Sequence, residues 1–165
     1  GYIQIVRERI AEKDPAVKGK KSKYVLPYPG ILPDHPLYFL KSLRDSILDK
    51  LIADPVRKAE FNLLQADKKL QMGLGLFNKS KDSMGIDYIS NAEKHMEMSI
   101  VGLVSFKANS KEVPGYIVER LAEALGKHTE VLEEFLNQAK PEQKSGVSTA
   151  LELTQKLQGE LGKLK

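Results

Sequence analysis

The most constraining feature of this sequence is a helical period in its apolar residues, which runs from Leu37 almost to the last residue. Leucines and other apolar side chains recur at steps of three and four residues, the spacing that lines one face of an α-helix. No segment alternates at period two over the length of a strand, and no Asn-Gly or Asp-Gly hairpin signal occurs. The pattern predicts an all-α fold.

Four interruptions divide the periodic region into helices. Asp54-Pro55 and Lys140-Pro141 are helix starts, and residues 79–83 and 107–110 are short polar breaks. Helices joined by such short connections pack antiparallel. We predict an up-and-down antiparallel bundle of about five helices. The apolar residues of every helix, including Leu37, Leu40, Ile47 and Leu51 of the first, are expected to face one core.

Five of the eight prolines precede residue 40, and the segment they occupy is also apolar. Proline fixes φ and removes a hydrogen-bond donor, so this segment is extended rather than helical. We predict a strap (residues 24–36) that lies on the bundle and, with it, forms one domain over residues 24–165. The residues proposed for packing of the strap or for interaction are Tyr28, Pro29, Leu32, Pro36 and Tyr38.

The excess of positive over negative charge lies in residues 1–23. Residues 1–23 hold seven basic and three acidic residues, which accounts for the whole net charge of +4. We interpret them as a basic tail or tether, in which Lys18, Lys20, Lys21 and Lys23 allow weak contact with an anionic membrane. A solubilising linker is the alternative that we favour. Specific nucleic-acid binding is not expected, because the remaining chain is neutral and lacks aromatic residues among its basic ones.

Several classes of chemistry are excluded by the residues themselves. Without cysteine there are no disulfides, thiolate zinc sites, iron–sulfur clusters or cysteine nucleophiles. Neither a Gly-x-Ser-x-Gly elbow nor a phosphate-binding loop of the Gly-x-x-x-x-Gly-Lys type occurs. We therefore predict no enzyme, no catalytic residues and no cofactor.

A metal site built on His95 and His128 is the sharpest alternative, because the two lie on different predicted helices near several acidic residues. Bundles that hold two metal ions use Glu-x-x-His pairs, and no such pair occurs here. His128 also lies on an apolar stripe between Leu125 and Leu132. We favour a buried His128 hydrogen-bonded to a carboxylate or carbonyl group, and a His95 packed between helices.

The Pro-rich segment and two later motifs resemble a bacterial and archaeal helical domain family of unknown function. Its members carry a Leu-Pro-(x)-Pro-Gly…Pro-Leu-Tyr-x-Leu-Lys type of segment. The matching residues here are Leu26-Pro27, Leu32-Pro33, Pro36-Leu37-Tyr38, Leu40-Lys41, Asp54-Pro55, Ala66-Asp67-Lys68-Lys69-Leu70 and Pro141-Glu142. No reaction is attached to the family, and its members often follow a signal or membrane segment in exported or envelope-anchored proteins.

The resemblance implies a non-enzymatic extracytoplasmic domain with a structural or protein-interaction role at the cell envelope. Its partner there is an unidentified protein. Residues 2–6 are mostly apolar, so a membrane anchor in a segment absent from this chain is a further expectation. The alternative function is a metal- or small-ligand-binding sensor bundle that uses His95 and His128.

Overall fold

The computed structural model describes residues 22–165, which form five α-helices and no strand. The helices are α1 (Tyr38–Leu51), α2 (Pro55–Asn78), α3 (Asp82–Ala108), α4 (Gly115–Gln138) and α5 (Pro141–Leu161), followed by a 3-10 turn at Gly162–Leu164. The predicted all-α class is confirmed. Most of the predicted basic tail, including Lys18, Lys20 and Lys21, lies outside the described residues, whereas Lys23 is within them and exposed.

Two helix starts follow the local chemistry that predicted them. The Asp54 carboxylate accepts a hydrogen bond from the Arg57 backbone N–H at 2.8 Å, and Pro55 is the first helical residue. At the start of α5, the Gln143 side chain accepts a hydrogen bond from the Lys140 backbone N–H at 3.0 Å. These contacts satisfy donors that the first turn of a helix leaves free.

Helices α2 to α5 form the bundle and alternate in direction along the chain. They pack in a ring in which α2 contacts α3, α3 contacts α5, α5 contacts α4, and α4 contacts α2. Their buried side chains form two apolar clusters. One includes Leu63, Ile100, Leu121 and Leu161, and the other includes Leu70, Ile89, Leu132 and Val147.

Helices α2 and α3 approach closely at a pair of glycines. A Cβ atom at Gly73 would lie 2.7 Å from Ile89 Cγ1 and 2.9 Å from the carbonyl oxygen of Gly85. Both distances are shorter than real Cβ contacts, so a side chain at Gly73 would push the two helices apart. Glycine at this position therefore serves helix packing.

The Pro-rich strap lies against the bundle, as predicted. Leu26 is buried in the second apolar cluster, and Leu32 covers Gly75 of α2, where a Cβ atom would be 3.3 Å from Leu32 Cδ2. The carbonyl oxygen of Pro29 accepts a hydrogen bond from Lys41 Nζ. Not every strap residue packs, since Tyr28 and Pro36 are exposed.

The first helix differs from the prediction. We expected its apolar residues to face the core, but α1 contributes no buried residue, and Leu37, Leu40, Ile47 and Leu51 are all exposed. The physical reason is that α2 to α5 bury their apolar faces against one another in the two clusters. No residue of α1 belongs to either cluster, so α1 lies outside the ring.

Candidate functional site

The boundary between the two apolar clusters is occupied by a buried polar layer centred on His128 of α4. His128 Nδ1 lies 2.7 Å from Glu93 Oε1 of α3, and Nε2 lies 3.0 Å from Asp67 Oδ1 of α2. His128 and Glu93 are fully buried, and Asp67 is nearly so. The layer therefore joins three helices of the bundle through one imidazole ring.

Both ring nitrogens of His128 face carboxylate oxygens, which accept hydrogen bonds when ionised. Both nitrogens therefore donate, and the ring is an imidazolium. Burial alone would lower the pKa of His128, but the charge of Glu93 and the hydrogen bonds to Asp67 and Glu93 outweigh it and raise the pKa to about 9. The interior of the bundle thus contains a paired cation.

Tyr24 connects the strap to this layer. Its hydroxyl donates a hydrogen bond of 2.6 Å to Asp67 Oδ2, and burial together with that bond raises the pKa of Tyr24. Glu130 makes a second polar contact nearby. Its Oε2 atom accepts a hydrogen bond of 2.9 Å from the backbone N–H of Ser22, which precedes the strap, and its Oε1 atom forms an ion pair with the buried Lys127 at 2.7 Å. The strap is therefore held by polar contacts as well as by Leu26 and Leu32.

The structure places the two predicted metal-binding histidines in different environments. An imidazolium has no lone pair for a metal ion, so His128 in this arrangement cannot act as a ligand. Within residues 22–165, no group of three or more histidine, aspartate and glutamate side chains is arranged to hold a metal ion. The favoured interpretation of His128, a buried histidine hydrogen-bonded to carboxylates, matches the geometry.

His95 lies at the edge of a polar cleft between α1 and the bundle. The cleft has a volume of about 330 Å³, and α1 contributes Tyr38, Ser42, Asp45, Ser46 and Asp49 to its lining. Opposite them lie Gln65, Lys69 and His95. His95 Nδ1 is 2.9 Å from Asn62 Oδ1, and burial, reinforced by the charge of Lys69, lowers the pKa of His95 to about 4.

Aromatic and cationic side chains hold the first turn of α1 against the bundle. The rings of Tyr38 and Tyr88 meet edge to face at 6.1 Å, and Lys69 Nζ lies 5.3 Å from the centre of the Tyr88 ring. Burial lowers the pKa of Lys69. At the other end of α1, the Asp49 carboxylate pairs with Lys58 at 2.7 Å. Mainly polar and aromatic contacts thus attach α1.

The opposite side of α1 is an apolar face that points away from the bundle. At about 100° per residue its large side chains cover roughly half of the helix circumference. We call them the outer face of α1, and they are Leu37, Phe39, Leu40, Leu43, Ile47, Leu48 and Leu51, each between 42% and 73% exposed. Seven large apolar side chains exposed together on one face differ from the single exposed apolar residues that are common on protein surfaces.

Sequence reasoning predicted a carboxylate or carbonyl partner for His128 but did not identify Asp67 and Glu93 as its partners. A signal was available, because Asp67 lies between Leu63 and Leu70 of one apolar stripe, and Glu93 lies between Ile89 and Met96 of another. An acidic residue inside such a stripe is buried and needs a partner. No comparable pattern in the sequence predicts the cleft lined by Gln65 and Lys69.

None of the helices within residues 22–165 has the length and hydropathy that crossing a bilayer demands. Searches of curated proteins and of solved structures return no match. A family model described as "Domain of unknown function (DUF5667)" matches residues 30–142, a range that contains all of α1 to α4. The predicted membership of a helical domain family of unknown function is confirmed at that level, and the chain belongs to this family of domains of unknown function.

Proposed function

We propose that this chain is a non-enzymatic domain of the cell envelope that works by presenting the outer face of α1 to another envelope component. The observation that carries the proposal is the orientation of α1. Its polar side faces the bundle across the cleft, while its apolar side is exposed over the whole length of the helix. A helix with this orientation stays solvent-exposed at a free-energy cost unless something covers it.

The polar groups of the bundle support a structural rather than a catalytic role. The Asp67, Glu93 and His128 side chains are buried between apolar clusters and bonded to one another. A catalytic acid or base must reach a substrate in a plausible pose, and these three side chains are at most 3% exposed. Their contacts instead tie α2, α3, α4 and the strap together.

The sensor alternative needs both His95 and His128 as ligands, and His128 is engaged by other side chains. His128 is engaged at both ring nitrogens, and Nδ1 of His95 is hydrogen-bonded to Asn62. A site that rests on His95 alone offers one imidazole ligand, whereas metal sites in helical bundles use several side chains. The exposed apolar face of α1 therefore supports a contact function more strongly than the two histidines support a metal sensor.

An envelope location is supported by the family resemblance. In this proposal the domain is extracytoplasmic, and the basic tail of residues 1–23 connects it to the membrane side. Protease treatment of intact and lysed cells tests this part. The proposal expects the protease to digest the domain in cells that have lost only their outer layers and are not lysed. Protection of the domain until the cells are lysed would contradict the proposal.

Photo-crosslinking in cells tests the contact itself. A photoreactive amino acid at Ile47, on the outer face of α1, is expected to form adducts with an envelope component. The same group at Ser145, an exposed residue of α5, serves as the control and is expected to give few. Equal yields at the two positions, or no adduct at Ile47, would contradict the proposed function.

A further inference from the structure

We infer that the outer face of α1 binds the surface of an anionic lipid bilayer, with the helix lying in the plane of the interface. This inference rests on the proposed function and names the partner of that same surface. A second copy of the chain and a protein partner are the competing occupants.

The shape and composition of α1 fit an interfacial helix. Its 14 residues span about 21 Å. The apolar side chains on one half of its circumference are all leucine, isoleucine or phenylalanine. Helices that lie on membranes bury such a face about 5–10 Å into the boundary between head groups and acyl chains. Bulky aliphatic and phenylalanine side chains on one side, with charges at the borders, are their typical pattern.

The distribution of charge on α1 favours an anionic surface. At about 100° per residue, the exposed cations Arg44 and Lys50 lie on the apolar half of α1, whereas Asp45 and Asp49 lie on the opposite side and line the cleft. Asp45 pairs with Arg44 at 2.8 Å and Asp49 with Lys58 at 2.7 Å, and Lys50 also contributes to the lining of the cleft. The Arg44 side chain remains 61% exposed in its ion pair, so the outer face offers cations to lipid phosphates while its acids are turned away.

The same charges disfavour a second copy of the chain. Two outer faces packed against each other would bring Lys50 of both copies to one seam, together with the Arg44 side chains that pair with Asp45. The like charges of the two lysines at such a seam are destabilising. A specific protein partner is also poorly matched. Protein interfaces carry roughly one hydrogen bond per 100–200 Å² and favour tyrosine, tryptophan and arginine at their centres, whereas the centre of this face has no hydrogen-bonding group.

Vesicle flotation with the full chain tests the inference. We expect wild-type protein to float with vesicles of phosphatidylcholine mixed with phosphatidylglycerol, and to bind at least tenfold more weakly to phosphatidylcholine alone. Replacing two residues of the outer face, Leu43→Ser and Ile47→Ser together, should weaken binding at least tenfold. These side chains are 56% and 50% exposed, so the variant is expected to keep its helical circular dichroism.

A matched control removes equally exposed apolar groups elsewhere. Val101→Ser with Tyr116→Ser changes residues of α3 and α4 that are 48% and 53% exposed, and binding should stay within twofold of wild type. Deleting residues 1–21 separates the contribution of the basic tail. The inference expects the truncated protein to retain binding that still depends on Leu43 and Ile47.

Three results would overturn the inference. They are no binding to phosphatidylglycerol vesicles, equal binding by the Leu43→Ser, Ile47→Ser variant, and a wild-type dimer in light scattering that this variant converts to monomer. If vesicles do not bind but photo-crosslinking at Ile47 still yields a protein adduct, the lipid assignment fails and the proposed function stands. If both experiments are negative, both fail.

Discussion

The free energy of unfolding should decrease as the pH rises from about 6.5 to about 9, because native His128 holds its proton more tightly than the unfolded chain does. The pKa of His128 is raised from 6.5 to about 9 in the folded protein. Between these values the native state binds more protons than the unfolded state, so stability falls with pH by up to about 1.4 kcal/mol per unit.

The expected loss across this interval is on the order of 3 kcal/mol, and the stabilisation is fully present below pH 6.5. His95 does not obscure it. The pKa of His95 is lowered to about 4 by burial, so His95 makes stability rise with pH, and only below pH 6.5. His35 is exposed and lies outside the buried polar layer, so His35→Gln is the matched control for replacing a histidine.

Urea denaturation followed by far-ultraviolet circular dichroism at a series of pH values measures the effect. Glu93→Gln removes one of the two charges that raise the pKa of His128, so this variant should lose its stability at lower pH than wild type does. A wild-type free energy of unfolding that is constant or rises between pH 6.5 and 9 would refute the assignment of His128 as a paired imidazolium.

Three further predictions concern packing and metal binding. In urea denaturation, Gly73→Ala should destabilise the protein by about 1–2 kcal/mol, because overpacking against Ile89 outweighs the gain in helix propensity. Gly126→Ala should stabilise it by up to about 1 kcal/mol, because a Cβ atom there would have no atom within 4 Å. The reverse order of stabilities would contradict the close approach of α2 and α3. Leu32→Ala should lower the unfolding free energy by about 1–2 kcal/mol, since Leu32 is half-buried, and unchanged melting would mean that the strap does not pack. Elemental analysis of protein prepared without a histidine tag should find no stoichiometric transition metal, and one bound ion per chain would revive the sensor alternative.

The bundle could be predicted from the sequence because its signals are local. Asp54-Pro55 and Pro141 mark helix starts through capping chemistry, and the apolar steps that follow each of them determine a helix face. The burial of His128 was predictable for the same reason, since Leu125 and Leu132 share its stripe. Its carboxylate partners come from other helices and depend on register, which a single sequence does not determine.

The orientation of α1 could not be predicted from its periodicity. An apolar stripe shows that one face avoids water, but it does not say which surface covers that face. Here the ring of α2 to α5 is complete without α1, and contacts of Tyr38, Asp49 and Lys41 hold the polar side of the helix inward. The first helix therefore looks like a core helix in the sequence and is a surface helix in the structure.

The outer face of α1 is tested most directly by fluorescence from a single labelled cysteine, since the chain has none of its own. An environment-sensitive dye at Leu43→Cys should shift to the blue and brighten when vesicles containing phosphatidylglycerol are added, while the same dye at Ser145→Cys on α5 should not respond. Unchanged emission at Leu43→Cys, or an equal shift at both positions, would contradict the central claim that the outer face of α1 lies on an anionic membrane.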